Sequence, residues 1–269
     1  MQGFQKVVGH QEIITHLQNA ISMNKVSHAY LFGGESGSGK KMMASLFAMT
    51  LQCEKHGVEP CMECPSCKKA QSQNHPDIIY VKHEKPNTIS IDEIREQLIN
   101  DVMIKPYSSP YKIYIIDEAQ KLTLQAQNAL LKTIEEPPAY AVVMLLADNP
   151  DALLPTISSR CVQLNLKPVG DQLVKDYLMN EMHVPDYQAE VDASLAQGNI
   201  GKAERIARSP EYEETLESAL RMAKYADSMP LYEIVETIKK LTAEKDNIGD
   251  YFDIFSLWFR DVLLFKATK

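Results

Sequence analysis

The run Gly34-Glu35-Ser36-Gly37-Ser38-Gly39-Lys40 has the composition of a phosphate-binding loop. Glycines at 34, 37 and 39 let backbone N–H groups converge on phosphate oxygens, a following helix adds the positive end of its dipole, and Lys40 can reach the outer phosphates. The pattern is complete only with Ser or Thr after the lysine, because that hydroxyl ligates Mg²⁺. Lys41 stands there instead, and a cation cannot serve as a magnesium ligand. Two readings of the loop stay open: weak nucleotide binding, or a structural relic of an ATPase without its hydrolysis. ATP and Mg²⁺ are therefore both in question. A second acidic motif, Asp117-Glu118, ends the apolar run IYII, where carboxylates could hold metal through water and orient an attacking water. Taken alone, an acidic pair after a strand is also an ordinary helix N-cap.

Cys53, Cys61, Cys64 and Cys67 follow the spacing C-x7-C-x2-C-x2-C. Four thiolates so placed can surround one ion at about 2.3 Å in a tetrahedron, leaving no position for a reactive water, so the expected metal is a structural zinc. Free cysteines and an iron–sulfur cluster are the alternatives. Disulfide scaffolds spread their cysteines through short secreted chains. Four of the five cysteines here crowd into residues 53–67.

The elements that must position these groups follow from hydrophobic periodicity. Ile13, Ile14, Leu17, Ala20 and Ile21 share one helical face, and AYLF at 29–32 is a short buried strand leading into the glycine loop. Further strands are expected at Ile78–Val81, Ile113–Ile116 and Val142–Leu146. Between them come a helix opened by a Ser90–Glu93 capping box and a helix from Leu124 to Ile134, stopped by Pro137 and Pro138. Continuous apolar strands alternating with helices predict an α/β unit with a parallel sheet covered on both faces, ending near Leu166. After Pro168 no strand is expected, and 171–182, 189–208, 211–226, 230–244 and 249–266 read as helices. The last, YFDIFSLWFRDVLLF, is apolar nearly all round and predicts burial on several sides, core packing being the simpler reading beside a subunit interface.

With 269 residues, 45% apolar and 24% charged, the chain is large enough for two or three domains. No apolar run approaches the ~18 residues that would suggest a membrane span, and MQGFQKVVGHQ has no features of a secretory signal, so a cytoplasmic protein with no membrane partner is expected. A net charge of −8 argues against a protein that coats nucleic acid alone, since that affinity comes from clustered Lys and Arg. Any DNA contact is local or shared.

VGH, SHAYLFGGESGSGK, the cysteine cluster, IYIIDEAQKLTLQAQNALLKTIEEPP and ISSRC occur in this order. Together, from about Val8 to Ala207, they resemble the bacterial clamp-loader ATPase module of the AAA+ class. Within that family the chain is similar to the delta prime type, which carries HPD, here His75-Pro76-Asp77, followed by a segment like ISIDEIREQ. The resemblance implies a P-loop NTPase-like α/β domain (1–166) with a parallel sheet and an inserted zinc module (53–67), then a helical lid (167–208) and a partial helical collar (209–269). It implies membership of a DNA-directed DNA polymerase holoenzyme, with gamma/tau and delta subunits as partners and the sliding clamp and primed DNA reached through the complex. Arg160, between Ser159 and Cys161, matches the family arginine that reaches ATP on a neighbouring subunit, where a guanidinium stabilises the transferring phosphoryl group. Two family positions are altered. The nucleotide-sensing Thr falls near Asp148, and the lid-helix Arg is Gly201 with Lys202 beside it. The expected function is a non-hydrolysing stator that helps load the clamp. The alternatives are an active gamma/tau-type ATPase with Lys40, Asp117 and Glu118 catalytic, and a zinc-stabilised nucleotide-binding adaptor outside replication.

Overall fold

A computed structural model describes residues 3–225 and 248–268, with positions 229, 230, 232, 235, 236, 238 and 239 between them. The first compact unit comprises Met1–Val169 together with Asn199–Gly201, and the second Gly170–Gly198 and Lys202–Lys269.

The first unit is a five-stranded parallel sheet: β1 (Ala29–Gly33), β2 (Ile78–Tyr80), β3 (Lys112–Ile116), β4 (Ala141–Ala147) and β5 (Val162–Asn165), in the spatial order β2-β3-β4-β1-β5. β1 lies between β4, with Ala29 opposite Val143, and β5, with Tyr30 opposite Val162. Because strand side chains alternate faces, Tyr30 and Phe32 join one core with Phe47, Ile113, Ile115, Met144 and Leu146. Ala29 and Leu31 join the other with Tyr114, Ile116, Val143, Leu98 and Leu130. Both faces are dry, which is why β1, β3 and β4 read as unbroken apolar runs.

Helices α1 (Gln11–Ser22), α2 (Lys40–Leu51) and α3 (Pro65–Gln71) contribute to the first core. The second is covered by α4 (Ile91–Ile94), α5 (Leu124–Glu135) and α6 (Pro155–Ser158). The Ser90–Glu93 capping box forms, with the Ser90 side chain taking the Glu93 N–H and Glu93 taking the Ser90 N–H, but α4 passes after one turn into a π-type turn at Arg95–Ile99. α5 is capped by Thr123.

The second unit contains α7 (Asp171–Met182), α8 (Asp186–Ala196), most of α9 (Ile200–Arg208), α10 (Pro210–Tyr225) and α11 (Ile248–Ala267). The expected single helix over 189–208 is two helices. Gln197 (φ 51°) and Gly198 (φ 79°) both enter the left-handed region, which ends α8 before α9 begins. The expected helix over 230–244 lies largely outside the described residues. The expectation for the last helix is corrected too. Ile254 and Leu257 are buried, but Phe252, Phe259, Leu263, Leu264 and Phe265 are each more than half exposed. Among the described residues no helix is long and apolar enough to cross a membrane.

A phosphate loop closed by its own side chains

In parallel α/β sheets ligands bind beyond the carboxyl ends of the strands, and three chemical groups meet there. The glycine loop leaves β1, Asp117 follows β3 and Asp148 follows β4, on strands adjacent in the order β3-β4-β1. The Gly34 N–H donates to Ala147 O (3.3 Å) and the Leu166 N–H to Gly33 O (2.7 Å), which pins the loop's start between the ends of β4 and β5. Gly34 (φ 147°) and Gly37 (φ 84°) sit where side chains are strained. A Cβ on Gly34 would lie 2.6 Å from Leu166 O, and one on Gly37 2.6 Å from Asn199 Oδ1. Gly39 (φ 94°) precedes the first residue of α2.

Lys40 is buried, and its ammonium donates to Gly34 O (2.7 Å), Glu35 O (2.8 Å) and Asp148 Oδ1 (2.7 Å). An ammonium has three protons, so every one is already taken by the protein. Asp148 is in turn held by Gln120, whose Nε2 donates to Oδ2 (3.3 Å) and whose Oε1 accepts the Asp148 N–H (3.1 Å). Lys41 Nζ lies 3.0 Å from Asp117 Oδ2, while Oδ1 accepts the Glu118 N–H at 3.0 Å. Glu118, at φ 52°, pairs with Lys121 (2.6 Å) and His83 (3.4 Å). The hydroxyl that would ligate Mg²⁺ is missing, and the Asp117 carboxylate is bonded through both oxygens.

The Asn199–Gly201 segment covers the loop from its own unit. Asn199 Nδ2 donates to Ser36 O (2.8 Å) and the Gly201 N–H to Gly37 O (3.0 Å). A Cβ on Gly201 would fall 2.7 Å from Gly37 Cα. Sequence reasoning marked Asp148 and Gly201 only as departures from a family pattern. Their contacts with Lys40 and Gly37 depend on residues distant in the chain.

Arg160 is exposed at the turn after α6. Nη1 donates to Thr156 O (2.9 Å) and Nη2 pairs with Glu135 Oε1 (2.9 Å), both outside the phosphate loop.

The sulfurs of Cys53, Cys61, Cys64 and Cys67 all lie within 4.8 Å of one another. A tetrahedron with bonds of ~2.3 Å has edges of about 3.8 Å, so the cluster could hold a metal such as zinc. Backbone N–H groups already point at the sulfurs: Cys61 to Cys53 (3.5 Å), Cys64 to Cys61 (3.3 Å) and Cys67 to Cys64 (3.3 Å). The Cys64 N–H, followed by that of Glu63, draws the Cys61 thiol down to about 6, whereas burial pushes Cys67 up.

HPD ties this cluster to the sheet. The Asp77 N–H donates to His75 Nδ1 (3.1 Å), so the ring proton resides on Nε2, 3.0 Å from Ser66 Oγ, which donates onward to Gln52 O (2.6 Å). The Asp77 carboxylate accepts the N–H groups of Tyr107 (2.6 Å) and Ser108 (2.9 Å). Burial lowers the His75 pKa.

A profile described as "DNA polymerase III, delta subunit" matches residues 9–170. The chain is 32% identical to the Bacillus subtilis DNA polymerase III subunit delta', over 92% of this chain and 75% of that one. It is also 32% identical to the B. subtilis subunit tau, over 99% of this chain and 51% of tau. With the Haemophilus influenzae subunit tau/gamma it shares 39% identity over 73% of this chain and 29% of that protein. The chain thus spans about half the length of one tau relative and under a third of the other. In fold it is similar to the Thermotoga maritima RuvB Holliday junction branch migration motor (TM-score 0.50, 18% identity, 90% of this chain and 72% of that one). An AAA+ phosphate-loop fold, a matched profile over more than half of the chain and a delta' relative covered over three quarters of its length place this chain in the DNA polymerase III clamp-loader subunit family.

Proposed function

We propose that the chain is a delta prime-type subunit of the clamp loader, a stator that does not hydrolyse ATP but presents Arg160 to ATP held by a neighbouring gamma/tau subunit. The observation that carries this reading is the phosphate loop itself. Lys40 spends its three protons on Gly34, Glu35 and Asp148, and Lys41 replaces the hydroxyl that would bind Mg²⁺. Since positioning a metal is much of what a protein contributes to phosphoryl transfer, catalysis at this loop is unsupported. Among the described residues Arg160 is held by two surface contacts, which an incoming phosphate can replace. In this reading the protein is cytoplasmic and works with gamma/tau and delta subunits. The complex opens the sliding clamp and places it on primed DNA, and zinc in the cysteine cluster is structural. Residues 1–166 are the AAA+ domain, 167–208 are the lid and 209–269 belong to the collar.

The active gamma/tau-type reading has its own support in the tau and tau/gamma relatives and in the presence of Asp117 and Glu118. One assay separates the two: ATP turnover by the isolated chain with Mg²⁺, then by the chain reconstituted with gamma/tau and delta subunits. The stator reading expects no turnover alone and stimulated turnover in the complex. Magnesium-dependent turnover by the chain alone would establish the gamma/tau reading instead.

A further inference from the structure

The side chain that displaces the magnesium ligand also engages the second half of the metal site. Lys41 opens α2 beside Lys40, where catalytic phosphate loops carry the hydroxyl ligand, and Asp117 closes β3 where such folds carry the acidic partner of the metal. Lys41 Nζ lies 3.0 Å from Asp117 Oδ2. The other oxygen, Oδ1, is occupied by the Glu118 N–H. The nearby carboxylate of Asp148 is likewise committed, to Lys40 and Gln120.

We propose that Lys41 is a built-in counter-ion: its ammonium takes the place of the divalent cation at Asp117 and keeps Mg²⁺ out of the phosphate loop. A single ammonium neutralises one carboxylate through hydrogen-bonded protons. Unlike a divalent ion, it cannot coordinate six oxygens in an octahedron. The substitution therefore conserves the electrostatic balance at the end of β3 while removing the coordination chemistry. Asp117 then serves to anchor a lysine on the first turn of α2. This inference concerns the same loop as the stator reading and is incompatible with the active gamma/tau-type reading, but it does not rest on Arg160 acting in trans.

The test uses Mn²⁺ as an electron-paramagnetic probe of the magnesium position on the full, zinc-loaded chain, with and without ADP. The side chains of Lys41 and Asp117 are 58% and 39% exposed, so Lys41→Thr, Lys41→Ser and Asp117→Asn should fold, which circular dichroism checks. The wild type is expected to hold no Mn²⁺ that Asp117→Asn removes. Lys41→Thr, or Lys41→Ser, should gain one Mn²⁺ per chain with at least tenfold higher affinity than any wild-type binding, and adding Asp117→Asn should abolish the gain. A wild-type Mn²⁺ site sensitive to Asp117→Asn would overturn the proposal. So would the absence of a gained site in both Lys41 variants, or a gained site that survives in the double variant. ATPase assays of the complex do not enter this test, so its failure and the failure of the stator reading are separable.

Discussion

Nη2 of Arg160 lies 2.9 Å from Oε1 of Glu135, and both side chains are over 40% exposed. A surface pair of this kind contributes at most about 1 kcal/mol, so the guanidinium is stored against its own subunit at little energetic depth. Arg160→Ala should leave the melting temperature within about 2 °C of wild type, as expected for a surface change below 0.5 kcal/mol. It should also lower ATP turnover of the reconstituted complex by on the order of tenfold or more. Arg160→Lys should rescue little, because an ammonium cannot present the planar fork. Steady-state hydrolysis beside a thermal melt checks both, and unchanged turnover would remove the role in trans.

His75 supplies a pH-dependent contribution. Its pKa in the folded chain is lowered, first by burial, from the ordinary 6.5. The unfolded chain therefore binds more protons, and stability rises with pH. The contribution is complete above about pH 6.5 and declines as pH falls below it. His10 shifts in the same direction through burial, so a variant is needed to separate them. Urea midpoints between pH 5 and 8 should fall on the acid side in wild type and fall less steeply in His75→Gln. Identical slopes would show that the ring is not buried neutral.

Metal removal has a thiol-counting signature. Burial pushes Cys161 up to about 12, so it should stay silent to a thiol reagent in the native protein. The zinc-loaded chain should show no fast thiols; chelation should expose the four of the cluster and lower stability by several kcal/mol. Cys53→Ser should lose the bound zinc and reproduce that loss. Metal analysis returning less than one zinc per chain in a freshly purified sample would argue for free cysteines.

Gly201 makes a steric prediction. A methyl group there would lie 2.7 Å from Gly37 Cα and 2.8 Å from Gly37 O, both backbone atoms that cannot swing aside. Gly201→Ala should destabilise the chain by about 1–3 kcal/mol. Asn199→Ala, which loses the bond to Ser36 O, should cost about 1 kcal/mol. Chemical denaturation reads both, and a neutral Gly201→Ala would mean that the covering segment is held elsewhere.

The parts of the fold that were legible in the sequence are those whose burial leaves an unbroken signal. β1, β3 and β4 are apolar on both faces, and the glycines and Lys40 declare the turn after β1. β5 escaped because it is an edge strand whose Gln163 and Asn165 are exposed while Leu164 is buried. α3 escaped because its seven residues, PSCKKAQ, read as a cysteine loop. The break between α8 and α9 lies at Gln197 and Gly198, both left-handed; the glycine is a helix-ending residue, and apolar periodicity alone ran past it. In the site, residue types were visible but their partners were not. Lys40 and Asp148 are 108 positions apart, and no local period reports that meeting. The final helix was misread because periodicity counts apolar residues without saying what covers them.

The strand order also sets a timetable for synthesis. β1 emerges early, yet its neighbours are β4, reached at Val143, and β5, reached at Val162, each over a hundred residues later. At roughly 5–20 residues per second this buried strand waits on the order of 6–25 s on the ribosome for its partners. The glycine loop that follows it cannot take shape until Ala147 and Leu166 arrive to hold Gly34 and Gly33. The two bonds that pin the start of the phosphate loop can therefore both form only after Leu166 has been made.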